Sequence, residues 1–574
     1  MIINTLKQKL LDDISVFLSE YKSGEYGADG KVLQNIAMGE PKNKDFGDLS
    51  TNAAMVLAPI FKQKPMEIAK MLVDNILSKW EILAGISIAA PGFINLAFSE
   101  SFIKNKLSEI PPGGPGYGSN ESGKGIKIQI EFVSANPTGS LHIGHGRWGS
   151  LGDSLSNIYG ANGYDVCREY YVNDFGAQIR NFASCLGCLY LRNIGKDAPY
   201  PEDGYPEELV KTVADEIFAA KGEKFLVKPG KQSGSPANVD VASIGREGID
   251  IMISRIKNTL NSMGVEFDEW FLESTLYENS NFDRTMSDLK QKEIVYEKDG
   301  ALWFKASQFG DDKDRVVIRS DGEPTYFASD ILYLLNKIKR GFSQLIYILG
   351  ADHHGYIKRL HAIGKAAGFD DTKISVIIGQ LVMLVKKGEA VRMSKRKGKV
   401  YSLDDLIKEV GRDAVRYFFS MNSFDTPMDF DIDLAKQKSN QNPVYYVQYA
   451  HARISSIIEK VKSEKPMNAE IKPDLEIFGD NINGILFKNK EEIELAKTLI
   501  FYPDVILDAC RNDAPHFVTR YLYRLASQFH YFYNHYRIID ESNLDIDRLK
   551  LVLLVKIVLE NALKILGVSA PDKM

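Results

Sequence analysis

The sequence predicts an α/β protein in three parts: a parallel-sheet domain in mid-chain, an α+β domain before it and an all-α helical bundle after it. Three observations predict this. A strand-helix-strand pattern begins at Ile126, after a stretch dense in glycine and proline. Apolar runs of strand length recur as far as Val385. From Leu403 onward the apolar residues follow helical spacing. With 574 residues, 44% hydrophobic and 26% charged, the chain has the length for about three buried cores and the composition of a soluble globular protein.

In chain order, Leu6, Leu10, Leu11, Ile14, Phe17 and Leu18 lie at helical spacing with acids between them, unlike a secretion signal. Ile94, Leu96 and Phe98 alternate as in a half-buried strand. Pro111 to Gly125 (PPGGPGYGSNESGKG) reads as a linker, which closes a first domain at 1–115 and opens the second at 124. There Ile126–Phe132 reads as a strand, a helix starts near Gly144, and Tyr164–Val172 is the next strand, a Rossmann-like unit. Residues 189–281 hold polar, glycine-bearing stretches and read as an insertion that interrupts the sheet. Asp299-Gly300 and Asp321-Gly322 suggest hairpins, Gln344–His354 a buried strand ending in a polar loop, and Ile374–Val385 further strands. The domain is expected to end at 402. Residues 403–574 then form the helical domain, with amphipathic stretches near Val444–Lys462, Pro515–Tyr536 and Leu549–Leu566.

Four cysteines argue against a disulfide framework and point to a reducing cytoplasm. Cys185 and Cys188 form one CxxC with no second pair at zinc-site spacing, so they read as ordinary thiols and no protein-bound metal is expected. No stretch reaches membrane-spanning length, so no membrane partner is expected. A net charge of -5 leaves nucleic acid open, because binding depends on local basic surface. Gly118, Gly123 and Lys124 nearly form a phosphate loop, but Gly125 replaces the hydroxyl that would hold Mg²⁺ and a strand follows where a helix is needed.

The most informative segment is Glu131 to Gly146, EFVSANPTGSLHIGHG. It sets a strand end, a small-residue turn and two histidines around a helix start, where unpaired N–H groups and the helix dipole favour a phosphate. His142 and His145, three apart, can face one ligand, and Gly144 and Gly146 are expected to let a nucleotide approach the backbone. Downstream, Arg392, Lys395, Arg396, Lys397 and Lys399 crowd one loop that reads as a cationic arm for a triphosphate. Together these resemble the class I aminoacyl-tRNA synthetases, whose signatures are HIGH and KMSKS. HIGH is complete here. In the second signature Met393, Ser394 and Lys395 match, with Arg392 and Arg396 in place of its first lysine and last serine.

Within that class the chain is similar to the bacterial arginyl-tRNA synthetases over nearly its whole length, in ANPTGSLHIGHGR, YVNDFGAQIRN, GADHHGYIKRLHA, RMSKRKG, NPVYYVQYAHAR and the ending ILGVSAP. The resemblance implies ligation of L-arginine to its cognate tRNA through an adenylate, with ATP and Mg²⁺ as a substrate complex. It implies Glu131 and Asp330 as partners of the arginine side chain, with Tyr326 beside them, Ser134 and Asn136 at the α-amino and carboxylate ends, and His142 also at the arginine; His353 and His354, in the loop after a buried strand, are expected to line the same crevice, with His353 at the arginine. A guanidinium with five donors suits carboxylates in bidentate geometry. His142, His145 and Lys395 would stabilise the phosphates, with Gly144, Gly146, Met393 and Ser394 also at the ATP. The C-terminal bundle would read the anticodon region and the N-terminal domain the tRNA elbow, in a monomer. Two alternatives stay open at this point: a class I synthetase for another amino acid, and a synthetase-like chain that only binds RNA.

Overall fold

The computed structural model describes residues 1–20, 30–227, 238–353, 355–391, 401–464, 482, 484–540 and 543–574. Helix α1 (Ile2–Glu20) buries the stripe Leu6, Leu10, Ile14 and Leu18, the i, i+4 row its sequence provides. It belongs to a part whose short strands β1 (Met38–Gly39) and β2 (Leu49–Thr51) pair with β3 (Leu83–Ala89) and β4 (Phe93–Phe98) in the antiparallel order β1-β2-β4-β3. The stretch read as a linker is instead fastened to the C-terminal helices. Tyr117 donates its hydroxyl to Leu499 O at 3.3 Å, and Asn561 Nδ2 donates to Gly114 O at 2.8 Å. Its glycines make this approach possible, since a Cβ at Gly118 would lie 2.4 Å from the Tyr502 ring.

The central sheet has five parallel strands: β5 (Lys127–Glu131), β6 (Asp165–Val172), β7 (Glu269–Leu272) and, after a hairpin layer of β8 (Val295–Lys298), β9 (Ala301–Phe304) and β10 (Arg315–Ile318), β11 (Gln344–Gly350) and β12 (Ile374–Gly379). Their order is β12-β11-β5-β6-β7, with Glu131 opposite Tyr347 on one side and Glu169 on the other. The chain therefore leaves β5 to one side for β6 and later returns on the other for β11. A crevice opens between their carboxyl ends, where doubly wound sheets bind ligands. Helix α2 (Ile143–Ala161) joins β5 to β6. Helices α3 (Ala177–Arg192), α4 (Glu207–Lys221) and α5 (Val241–Ser262) lie between β6 and β7, and α6 (Tyr326–Lys339) and α7 (Tyr356–Ala366) cover the other half.

Two boundaries differ from expectation. The insertion placed at 189–281 contains β7, a four-residue strand of the sheet itself, too short to register as a periodic run. Asp299-Gly300 turns a hairpin between β8 and β9, and Asp321-Gly322 turns the chain back on the end of β10 before α6, with an antiparallel bridge from Ile318 to Pro324 and Arg319 N–H donating to Glu323 O at 2.9 Å. The sheet-bearing body also runs past 402: β13 (Val382–Lys386), paired with short β14 (Glu389–Ala390), takes β15 (Met428–Asp431) as a parallel neighbour. Helices α8 (Leu403–Val410) and α9 (Arg412–Phe419) lie between them and pack on α2. Buried Arg416 of α9 joins the parts, with Nη2 2.5 Å from Asp153 Oδ2 on α2 and Nε donating to Leu566 O at 2.6 Å. The remaining helices include α10 (Pro443–Glu464), α11 (His516–His535) and α12 (Ile546–Ile565), close to the three amphipathic stretches expected.

Candidate active site

The site begins where β5 ends. Val133 and Ser134 have φ of 70° and 38°, in the left-handed region that a β-branched residue rarely enters. Hydrogen bonds hold the turn there: Ser134 Oγ donates to Glu131 Oε1 at 3.2 Å and accepts from Tyr171 N at 3.1 Å, and the Tyr170 hydroxyl donates to Ala135 O at 2.7 Å. Strain of this kind is kept where surrounding structure over-determines it, commonly at functional sites. Asn136, exposed at the rim, donates to Gln178 Oε1 at 3.0 Å.

His142 then caps α2 and His145 stands in its first turn. Their rings stack at 3.6 Å between centres, and the His142 backbone N–H donates to His145 Nδ1 at 3.2 Å. That bond leaves His145 with its proton on Nε2. Burial pushes the His145 pKa down to about 3, helped by neighbouring His142, and burial also lowers that of His142. Both imidazoles are therefore neutral at pH 7, and they can serve a phosphate as hydrogen-bond donors rather than as standing charges.

The second glycine of the motif serves packing. A Cβ on Gly146 would lie 2.4 Å from Leu403 Cδ1 and 3.2 Å from the Phe419 ring, so this residue faces α8 and α9, not a nucleotide. On Gly144 a Cβ would crowd the His142 ring at 3.1 Å. The expectation that Gly146 opens the backbone to ATP is corrected accordingly: the sequence placed it at a helix start, but the side it faces follows from tertiary packing.

Glu131, Ser134, Asn136, His142, His145, Tyr326, Asp330 and His353 all line one cleft of about 400 Å³. The acidic part differs from the simplest reading. Glu131 is almost wholly buried and already paired, accepting from buried Lys337 Nζ at 2.6 Å. Asp330 is partly buried, yet its Oδ2 is enclosed and has no hydrogen-bond partner among the described residues. Burial raises its pKa to about 7, opposed by Arg359 and assisted by Glu273 and Glu131. Glu273, which the sequence reading missed, lies on the same wall just after β7 and accepts from Ser329 Oγ at 2.8 Å. Burial raises its pKa too, against hydrogen bonds from Ser329 and Tyr171. Two carboxyls raised by burial thus line one cleft, with Arg359 the cation that opposes the rise at Asp330. Position after a strand of the parallel sheet was the signal for Glu273, hidden once β7 had been assigned to an insertion. Tyr326 is largely exposed at the rim and Tyr347 is buried at the back, its hydroxyl without a partner among the described residues. His354, Arg392, Met393, Ser394, Lys395, Arg396, Lys397 and Lys399 lie outside the described residues.

This fold is that of the class I aminoacyl-tRNA synthetases: the family description "tRNA synthetases class I (R), catalytic domain" matches residues 116–436. "Arginyl tRNA synthetase N terminal domain" matches 4–98 and "DALR anticodon binding domain" matches 447–574. The chain is 42% identical to the arginine–tRNA ligase of Geobacillus thermodenitrificans over the whole of both chains, and 41% identical to that of Bacillus subtilis over 95% of this chain and 96% of the relative. The solved arginyl-tRNA synthetase of Thermus thermophilus shares the fold over the whole of both chains, with a TM-score of 0.73 at 20% identity. The chain belongs to the arginyl-tRNA synthetase family.

Proposed function

We propose that the chain ligates L-arginine to its cognate tRNA at the expense of ATP, holding the guanidinium between Asp330 and Glu273. The observation that carries this reading is the enclosed Oδ2 of Asp330, without a hydrogen-bond partner among the described residues, in the same cleft as a second buried carboxyl and a third carboxylate, Glu131, already taken by Lys337. A fixed cation with five donors satisfies such a pair; an apolar side chain would leave it unsatisfied. Tyr326 would cover the mouth, and Ser134, Asn136, His142 and His353, which line the same cleft, would meet the α-amino and carboxylate ends.

The arginine carboxylate attacks the α-phosphate of ATP, the bond to the β-phosphate breaks, and pyrophosphate leaves. The 2′-hydroxyl of the terminal ribose then attacks the adenylate carbonyl and AMP departs. No protein nucleophile takes part. The chain contributes position and charge stabilisation, with His142 and His145 donating hydrogen bonds, Lys395 supplying charge, and Met393 and Ser394 beside it at the nucleotide. Mg²⁺ enters with ATP as its counter-ion, and no protein ligands are assigned to it. The N-terminal part would meet the tRNA elbow and the helices after 436 its anticodon region, in a cytoplasmic monomer. No helix among the described residues is long and apolar enough to cross a membrane.

The test is pyrophosphate exchange into ATP across the twenty amino acids, each with and without total tRNA. Exchange with arginine alone supports the reading, and a requirement for tRNA would mark the chain's dependence on its partner. Exchange with another amino acid overturns the pocket assignment, and none from folded protein overturns the catalytic one.

A further inference from the structure

Resting on that reading, we propose that Trp148 is a positioning residue that sets the His142 and His145 rings for adenylate formation, with Gly379 as its seat. His142, His145 and Trp148 are spaced by three, so they form one row along the first turns of α2. The indole stands edge-on to both imidazoles, 6.1 Å from His142 at 74° and 5.4 Å from His145 at 69°. It lines the same cleft.

Its opposite edge rests on the end of β12. A Cβ at Gly379 would lie 2.2 Å from Trp148 Nε1 and 2.7 Å from Cδ1, so only glycine admits the indole there. Gly379 does not have the positive φ that would require glycine for conformation; the requirement is space. The next residue is clamped as well. Buried Arg147 donates through Nη1 to Gln380 O at 3.1 Å, and through Nη2 to Ser423 O at 2.7 Å and Thr426 O at 2.8 Å. Adjacent residues of α2 thus hold the far edge of the sheet, and Trp148 converts that rigid contact into a wall against which two rings must stand. A ring pair stacked only on itself could turn about its side-chain bonds; one flanked by an indole cannot without displacing it.

The test uses the full-length protein carrying Trp148→Ala, Trp148→Phe and Gly379→Ala, the last of which touches neither histidine. Pyrophosphate exchange gives kcat and the KM of each substrate, and the imidazole proton-carbon resonances of His142 and His145 report ring environment. Trp148→Ala should lower kcat about tenfold or more while the arginine KM stays within about threefold. Trp148→Phe should recover part of the loss. Gly379→Ala should reproduce it and move the same two histidine resonances. Folded Trp148→Ala protein with parental kcat and unmoved resonances would overturn the proposal, as would Gly379→Ala protein with neither change. If the parent protein shows no arginine-dependent exchange, the functional reading fails, while the resonances still decide whether Trp148 sets the rings.

Discussion

Lys337 Nζ lies 2.6 Å from Glu131 Oε2 beneath the floor of the cleft, with the Tyr333 and Tyr347 ring centres 4.1 and 3.8 Å away. The chain therefore carries its own cation on the carboxylate of its central strand. Burial pulls the Lys337 pKa down while Glu131 and Glu169 raise it. On the proposed reading, a substrate cation takes the Asp330 and Glu273 side of the cleft.

Because both partners are buried, removing one strands the other. Lys337→Met should cost about 3–5 kcal/mol of unfolding free energy, whereas Lys337→Met combined with Glu131→Gln should recover most of it. Denaturant titration of the parent and the two variants checks this; a double variant no more stable than the single would show that the ammonium serves groups other than Glu131.

Asp330→Asn and Glu273→Gln should act on substrate. Losing one charged partner of a buried guanidinium is expected to cost about 2–4 kcal/mol, or roughly 30- to 1000-fold in kcat/KM for arginine, with the ATP KM little changed. Steady-state exchange kinetics at varied arginine and at varied ATP separate the two, and an equal rise in both KM values would count against the assignment.

The raised pKa of Asp330 predicts a pH dependence with a definite sign. In the empty cleft its carboxyl keeps a proton up to about pH 7, while a guanidinium stays charged throughout the range. Proton and substrate compete, so the arginine KM should rise as pH falls through 7, approaching about tenfold per unit, and level off above it. Measured between pH 6 and 8.5, the slope should flatten in Asp330→Asn.

Gly146 tests the packing account of the histidine motif. Gly146→Ala places a methyl 2.4 Å from Leu403 Cδ1, and overpacking of this kind costs about 1–3 kcal/mol. Thermal unfolding should show the loss, and the ATP KM of the folded fraction should stay near the parental value. A raised ATP KM at an unchanged Tm would return Gly146 to the nucleotide.

Much of this molecule was legible in local pattern. β4, β5, β6 and β11 stand where alternating or continuous apolar runs placed them, and α2 starts at the histidine turn, because periodicity and helix-start chemistry act over a few residues. The eight cleft residues named from the sequence within the described chain do share one cavity. β7 escaped because four residues carry little periodicity, and Glu273 was lost with it. β15 escaped because its partner, β13, lies more than forty residues away.

The sequence by itself determined the three-part α/β organisation, the histidine turn and the acids near it, since each is written in short-range spacing and residue type. Only the tertiary structure decided which acid was already paired, what Gly146 packs against and whether the imidazoles were charged. Those properties arise from burial and from partners distant in sequence: Lys337 on Glu131, Leu403 over Gly146, and a desolvated first turn of α2 around His145.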